Sequence, residues 1–366
     1  MPAPSLLPRL TPVICGPTAG GKSSLAVDLA LALRDQHNIP AEIVTADAFQ
    51  VYRGLDIGTA KPTPSERRGV PHHLIDIVNP LAPLQERGVG AGPRSPSDSP
   101  PFPPFTLDDW LRLARAAIAD LRSRDILPIV VGGTHLYVKA LLEGIFEGPD
   151  PDPALRAALM TTPRDTLRAE LQRIDPPAAA RIHPNDLRRT VRAIEVFRLT
   201  GKPITAHQKQ WDQPRSEDPS PATPDPKPDA QFFLCILDWE TEPLNRRINS
   251  RVRQMVDDGL VSEVRTLLAA GLLLPQAAEA LGYKQLIPVV CAALAAGQWP
   301  PPPVELDAAI EQIKIETRRF GKNQRTWLRR LRTSPGAISI PMPQTPPQAA
   351  LHRLLAAVLA GSPQPQ

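Results

Sequence analysis

The run Gly16-Pro17-Thr18-Ala19-Gly20-Gly21-Lys22-Ser23 constrains this chain more than any other stretch. It has the G-x-x-x-x-G-K-[ST] form of a phosphate-binding loop, in the setting that such a loop requires. Ahead of it, Val13-Ile14-Cys15 is a short apolar run fit for a buried strand. Behind it, residues 24–33 carry apolar side chains at helical spacing. Strand, glycine turn and helix thus come in the order that aims successive backbone N–H groups and the positive end of a helix at one anion. Lys22 adds a mobile charge, and Ser23 is placed to put its hydroxyl on a Mg²⁺ held by the same phosphates. A glycine turn with no ligand would not need Lys-Ser at its last two positions. The loop predicts binding of a diphosphate or triphosphate, without saying whose.

A chain of 366 residues, 42% of them hydrophobic, can build the cores of two compact units. Its longest apolar runs, such as 287–296, fall short of a membrane span and are broken by Pro288, so no membrane helix is expected. Residues 1–9 hold three prolines and one charge, Arg9, which is not the pattern of a secretory signal. Cys15, Cys235 and Cys291 are far apart in apolar contexts and read as buried, reduced thiols of a cytoplasmic protein. The net charge is only +4, so any nucleic-acid surface must come from local clusters. Three stand out: Arg188, Arg189 and Arg192; Arg246, Arg247, Arg251 and Arg253; and the series Arg318, Arg319, Lys322, Arg325, Arg329 and Arg330. Taken alone, each is equally readable as a solvated helix face.

After the first helix, residues 42–47 read as a second strand ending in Asp47. In open parallel α/β sheets ligands sit at the carboxyl ends of the strands, so Asp47 is expected beside the phosphate loop. Residues 49–62 are too polar and glycine-punctuated for a core element and look like an active-site loop. The series Gly16 to Ser23, then Asp47-Ala48-Phe49-Gln50-Val51-Tyr52, then Asp56-Ile57-Gly58-Thr59-Ala60-Lys61-Pro62 resembles, in order and spacing, the tRNA dimethylallyltransferases (tRNA isopentenyltransferases) of the bacterial type. The resemblance continues through Pro71-His72-His73-Leu74-Ile75-Asp76, Gly132-Gly133-Thr134, residues 181–196, 245–255 and 280–285, and closes on Gln324-Arg325-Thr326-Trp327-Leu328-Arg329. Neither His72 nor His73 has companions at zinc-ligand spacing. Gly132-Gly133-Thr134 follows a predicted strand at 127–131, and on its own reads equally well as a turn capped by Thr134.

The fold expected is α/β: a P-loop-containing parallel sheet flanked by helices, with an inserted all-helical domain. Residues 10–147 form the first part of the catalytic core, interrupted by a proline-rich insertion at 83–104. A helical unit follows at 148–211, a second proline-rich linker at 212–230, the second part of the core with its basic helices at 231–333, and a tail at 334–366.

The resemblance implies transfer of a dimethylallyl group from dimethylallyl diphosphate to the exocyclic nitrogen of an adenine beside the anticodon of tRNA, with Mg²⁺ as cofactor. It puts the diphosphate on Gly16, Pro17, Thr18, Ala19, Gly20, Gly21, Lys22 and Ser23, with Ser23 as the metal residue and Lys22 and Arg251 gripping the leaving group. Asp47 is the candidate general base, its competing role being a partner to the metal ion, and Thr18 is a candidate hydroxyl for the donor. The anticodon stem-loop is assigned to Asp47, Ala48, Phe49, Gln50, Thr134, Arg156, Arg188, Arg189, Thr190, Val191 and Arg192. One catalytic unit per chain suggests that a monomer suffices. Two other enzymes would share the loop: a prenyltransferase of free adenine nucleotides, and a P-loop kinase of a small metabolite. A non-catalytic RNA-binding protein is a further alternative. The kinase would leave the Arg188 cluster and the basic C-terminal helix without a purpose.

Overall fold

The computed structural model describes residues 8, 10–79, 105–144, 148–150, 152–207, 232–273 and 275–361. The proline-rich stretches 83–104 and 212–230 lie outside the described residues. No helix among those described is long and apolar enough to cross a membrane.

Among the described residues six parallel strands form one sheet: β1 (Thr11–Cys15), β2 (Ala41–Ala46), β3 (His72–His73), β4 (Leu127–Gly132), β5 (Phe232–Trp239) and β6 (Ile338–Met342). Their order is β3-β2-β4-β1-β5-β6. β1 sits between β4 and β5, with Val13 opposite both Val130 and Leu234, and all five of its residues are buried. That position explains its unbroken apolar run, since a strand covered on both faces has no polar side to alternate with. The phosphate loop leaves the carboxyl end of β1, and Asp47 leaves that of the second strand, β2.

The helix Lys22–His37 begins two residues earlier than its apolar spacing suggests. It buries Leu25, Ala26, Val27, Leu29, Ala30, Ala32 and Leu33 because the sheet packs on one side and the C-terminal helix Pro347–Leu359 on another. The segment set apart as a tail is therefore part of the sheet layer: β6 pairs with β5 from Cys235↔Ile338 to Trp239↔Met342. The helix Leu107–Ser123 starts where Thr106 and Asp109 close a capping box. Residues 49–62 are irregular, yet Val51, Tyr52 and Leu55 are buried, so this loop has its own small core.

The chain divides into two compact units, one holding the described residues of 1–94, 100–142 and 229–366, the other those of 143–228. The second is all helical, with Pro153–Thr161, Arg164–Ile174, Pro176–Arg181, Leu187–Thr200 and Ile204–His207 packed around Leu159, Leu167, Leu171, Ala178 and Ile194. Its turns are fixed by carboxylates: Asp152 caps Leu155, Asp175 caps Ala178 and also holds Thr205, and Asp186 caps Arg189.

Candidate active site

The phosphate loop is held from behind, so its amides face forward. Ala19 and Gly21 adopt positive φ, 58° and 83°, an arrangement that turns successive N–H groups toward one point. The carbonyls are fastened on the other side. Trp239 Nε1 donates to Gly20 O at 3.1 Å, Arg247 Nε donates to Ala19 O at 2.8 Å, and the Arg247 guanidinium lies 5.0 Å over the Trp239 ring. Among the described residues the N–H groups of Gly21, Lys22 and Ser23 have no protein acceptor, as the first turn of a helix requires, and Lys22 and Ser23 line a cavity.

That cavity, of about 90 Å³, is lined by Thr18, Lys22 and Ser23 from the loop and by Asp47 and Gln50 after β2. Gly132 at the end of β4, Gly133 just after it, and Arg251 from the helix Thr241–Asp257 complete its wall. Lys22 Nζ is turned back onto Pro17 O at 2.7 Å, and burial, with Arg251 adding to it, lowers its pKa to about 8 against the opposing pull of Asp47 and Cys15. Burial also lowers the Arg251 pKa, and Asp47 opposes the shift. Arg251 has no hydrogen-bond or ion-pair partner among the described residues. Two cations therefore converge where a carboxylate alone does not balance them, which is the electrostatic signature of a polyanion site.

Asp47 is fixed by its own turn. Its Oδ1 accepts N–H from Phe49 at 2.9 Å and Gln50 at 3.2 Å, leaving Oδ2 without a protein donor among the described residues. Gln50 Nε2 donates to Thr59 O and Ala60 O, tying residues 59–60 to the cavity wall. The Thr134 hydroxyl accepts the Ala48 N–H at 3.3 Å, so it serves the turn that carries Asp47. Lys61 is 8% exposed and binds Asp56, Asp76 and Tyr52 O, while Glu263 accepts the amides of Asp56, Ile57 and Gly58. These anchors make residues 55–62 a fixed wall.

Four residues that sequence reasoning did not assign to the site belong to it: Gln324 and Phe320 line the cavity, and Trp239 and Arg247 hold the loop. Gln324 lay within a matched motif, and Arg247 one turn before Arg251; the tryptophan carried no signal. His72 also lines the cavity. Its Nδ1 donates to Val70 O at 2.8 Å, which leaves Nε2 as a buried acceptor with no protein partner among the described residues. His73 instead pairs with Glu42 at 2.6 Å.

In the helical unit the structure separates the predicted RNA residues. Arg188 and Arg189 are exposed on the helix Leu187–Thr200. Val191 and Thr190 are buried, because they form the packed face of that helix. Arg156 and Arg192 close on the same oxygen of Glu195, at 2.7 and 2.6 Å, and Glu195 is 0% exposed. Their first task is to neutralise that carboxylate. Of the three cysteines, Cys15 and Cys235 are buried as expected, and burial pushes the Cys15 thiol up to about 12, whereas Cys291 is exposed on the outer face of its helix. Among the described residues no cluster of three or more His, Cys, Asp or Glu could hold a metal ion.

A P-loop at the centre of a parallel sheet, with a carboxylate and two cations converging on it, defines a phosphate-binding α/β protein of the enzyme class. The family described as IPP transferase matches residues 50–85 and 99–331, and the chain belongs to that family. It is 42% identical over 316 residues to tRNA dimethylallyltransferase 1 of Citrifermentans bemidjiense, covering 86% of this chain and 87% of the relative. It is 38% identical over 322 residues to the tRNA dimethylallyltransferase of Geobacillus thermodenitrificans, covering 87% and 86%. Among solved structures, the full-length tRNA isopentenylpyrophosphate transferase of Bacillus halodurans aligns over 96% of both chains, at 31% identity and a TM-score of 0.59. A eukaryotic dimethylallyltransferase acting on tRNA shares the fold at 23% identity and a TM-score of 0.70.

Proposed function

We propose that this protein is a tRNA-modifying prenyltransferase. It moves the dimethylallyl group of dimethylallyl diphosphate to N6 of the adenine 3′ of the anticodon, position 37, in tRNAs reading codons that begin with U. The product is N6-dimethylallyladenosine. The observation that carries this reading is that Arg251, without a partner among the described residues, and Lys22, held among them only by a loop carbonyl, meet a carboxylate, Asp47, across one cavity in a member of this family.

The reaction forms the N6–C1 bond, breaks the C1–O bond and releases diphosphate and one proton. Lys22, Arg251 and the amides of Gly21, Lys22 and Ser23 stabilise the charge that grows on the departing oxygens, as preorganised donors in a partly dry site do. Asp47 Oδ2 takes the N6 proton, its companion Oδ1 being held still by the Phe49 and Gln50 amides. The Ser23 hydroxyl, exposed and without a protein partner among the described residues, would hold a Mg²⁺ beside the diphosphate. Such an ion would add charge neutralisation at the leaving group. The adenine must leave the anticodon-loop stack, which costs on the order of a few kcal/mol and calls for phosphate contacts to hold the strand. Arg188 and Arg189 are the exposed candidates for that hold. The protein acts in the cytoplasm as a monomer.

The test is single-turnover transfer from labelled dimethylallyl diphosphate to unmodified tRNA by the wild type and by Asp47→Ala. The expected result is near-complete loss of turnover with retained donor binding. Wild-type turnover in the variant would remove Asp47 from the mechanism.

A further inference from the structure

Gln324 is the only buried polar side chain of the long basic helix Pro303–Leu331, at 4% exposure. A carboxamide so placed is costly unless both its ends are bonded. Both are: Oε1 accepts the Thr18 N–H at 2.8 Å, and Nε2 donates to Gly133 O at 2.8 Å. Thr18 lies in the phosphate loop. Gly133 precedes Thr134, whose hydroxyl holds the Ala48 amide next to Asp47. One side chain thus spans the donor cradle and the wall that carries the candidate base. The fit is close, since a Cβ at Gly133 would stand 2.6 Å from Gln324 Nε2 and 3.4 Å from Lys22 Nζ. The bond to Gln324 also removes the Thr18 amide from the set facing the cavity, leaving the anion to the amides that follow.

We propose that Gln324 is a positioning residue for prenyl transfer, fixing the separation between the diphosphate cradle and the Asp47 wall so that the prenyl carbon and the amine meet at attack distance. This rests on the transfer reading above; wild-type turnover measured alongside reports on that reading separately. The bracket is directional: it needs an acceptor toward Thr18 and a donor toward Gly133. A glutamate has the same shape, but its ionised form offers only acceptors. It would turn an oxygen against Gly133 O and draw Lys22 away from the diphosphate. Once protonated, it has one donor and one acceptor and restores both bonds.

The experiment compares wild type, Gln324→Glu and Gln324→Met in steady-state transfer from dimethylallyl diphosphate to unmodified tRNA between pH 5.5 and 8.5, with thermal melts beside each assay. The other titratable groups around the bracket are Lys22, Asp47, His72 and Arg251 in the cavity, Arg247 behind the loop and His135 beside Trp327. All of them are present in every variant, so the ratio of variant to wild type isolates position 324. At pH 8 both variants should lose roughly 10- to 100-fold in kcat/KM, the scale of one or two buried hydrogen bonds broken in a positioned site. The Gln324→Glu ratio should climb at least fivefold toward pH 5.5, whereas the Gln324→Met ratio stays flat. Should Gln324→Met fail to fold, recovery of Gln324→Glu in acid still decides. A flat ratio for Gln324→Glu, or near-wild-type activity in either variant, would overturn the proposal and leave Gln324 a packing residue.

Discussion

Lys22 Nζ donates to the carbonyl of Pro17, five residues back on the same loop, at 2.7 Å. Neither oxygen nor ammonium is spent on a distant partner, so an incoming diphosphate needs only to outcompete one neutral acceptor for this charge. With its pKa lowered to about 8 by burial and by Arg251, the lysine is partly neutral in mildly alkaline solution. A polyanion favours its charged form and raises the bound-state pKa. Donor binding must then take up protons near and above pH 8, and affinity must fall as pH rises from about 8 toward the bound-state pKa. Calorimetry of dimethylallyl diphosphate binding in buffers of different ionisation enthalpy measures this. The expected uptake is a fraction of a proton at pH 8, vanishing by pH 6, and lost at both in Lys22→Met.

Trp239 bonds only a carbonyl of the loop, so it should matter through loop shape. Trp239→Phe keeps the ring beneath Arg247 but leaves Gly20 O without its donor. A loss of about 1 kcal/mol, the net worth of one hydrogen bond, predicts a donor KM raised about fivefold with a smaller change in kcat. Initial rates at varied donor concentration and saturating tRNA provide the check.

The arginines of the helical unit divide into two kinds. Arg156→Ala with Arg192→Ala leaves buried Glu195 with only the Asp152 amide, and should cost about 3 kcal/mol or more of stability in that unit. Arg188→Ala and Arg189→Ala should leave the melting temperature within about a degree, since exposed charges contribute little, yet weaken tRNA binding and flatten its salt dependence. Melting curves and binding at two salt concentrations separate the pairs. Equal effects of both pairs on both readouts would contradict the division.

Glu263 collects three consecutive amides, those of Asp56, Ile57 and Gly58, together with the Tyr283 hydroxyl at 2.5 Å. Burial and this carboxylate push the Tyr283 phenol well above its ordinary pKa, so it stays a donor throughout the working range. Glu263→Ala should free the segment that supports Thr59 and Ala60 at the cavity. Hydrogen exchange at Asp56, Ile57 and Gly58 is expected to quicken at least tenfold while that of β1 holds, because local opening of a loop does not open the sheet.

Much of this was legible in the chain. The glycine run with Lys22-Ser23 announced its own geometry, and strand-end logic carried Asp47 to the cavity, because both depend on local spacing and on a general property of parallel sheets. Arg251 came only with the family resemblance, and nothing in the arginine cluster said that Arg247 and Arg251 would part, one behind the loop and one into the cavity. Trp239 was invisible as a site residue, and Gln324 was marked only by the motif around it, because their partners are backbone groups far away in the chain, which leave no trace in side-chain patterns. The burial of Val191 and the pairing of Arg192 with Glu195 were not legible for a related reason. A run of arginines advertises charge, but the helix period decides which members face inward, and buried Glu195 could not be known beforehand as their partner. The last thirty residues read as a tail since a five-residue strand with Pro341 in it carries little signal, and only pairing with β5 defines it.

The central claim is tested most directly by following label from dimethylallyl diphosphate into an unmodified tRNA whose anticodon is followed by A-A-A, beside free AMP and beside ATP. Label on N6 of the adenine next to the anticodon, none on AMP and no ATP consumption is the predicted result. Label on AMP alone, or ATP consumption without transfer, would contradict the account and return the phosphate loop to a nucleotide prenyltransferase or a kinase.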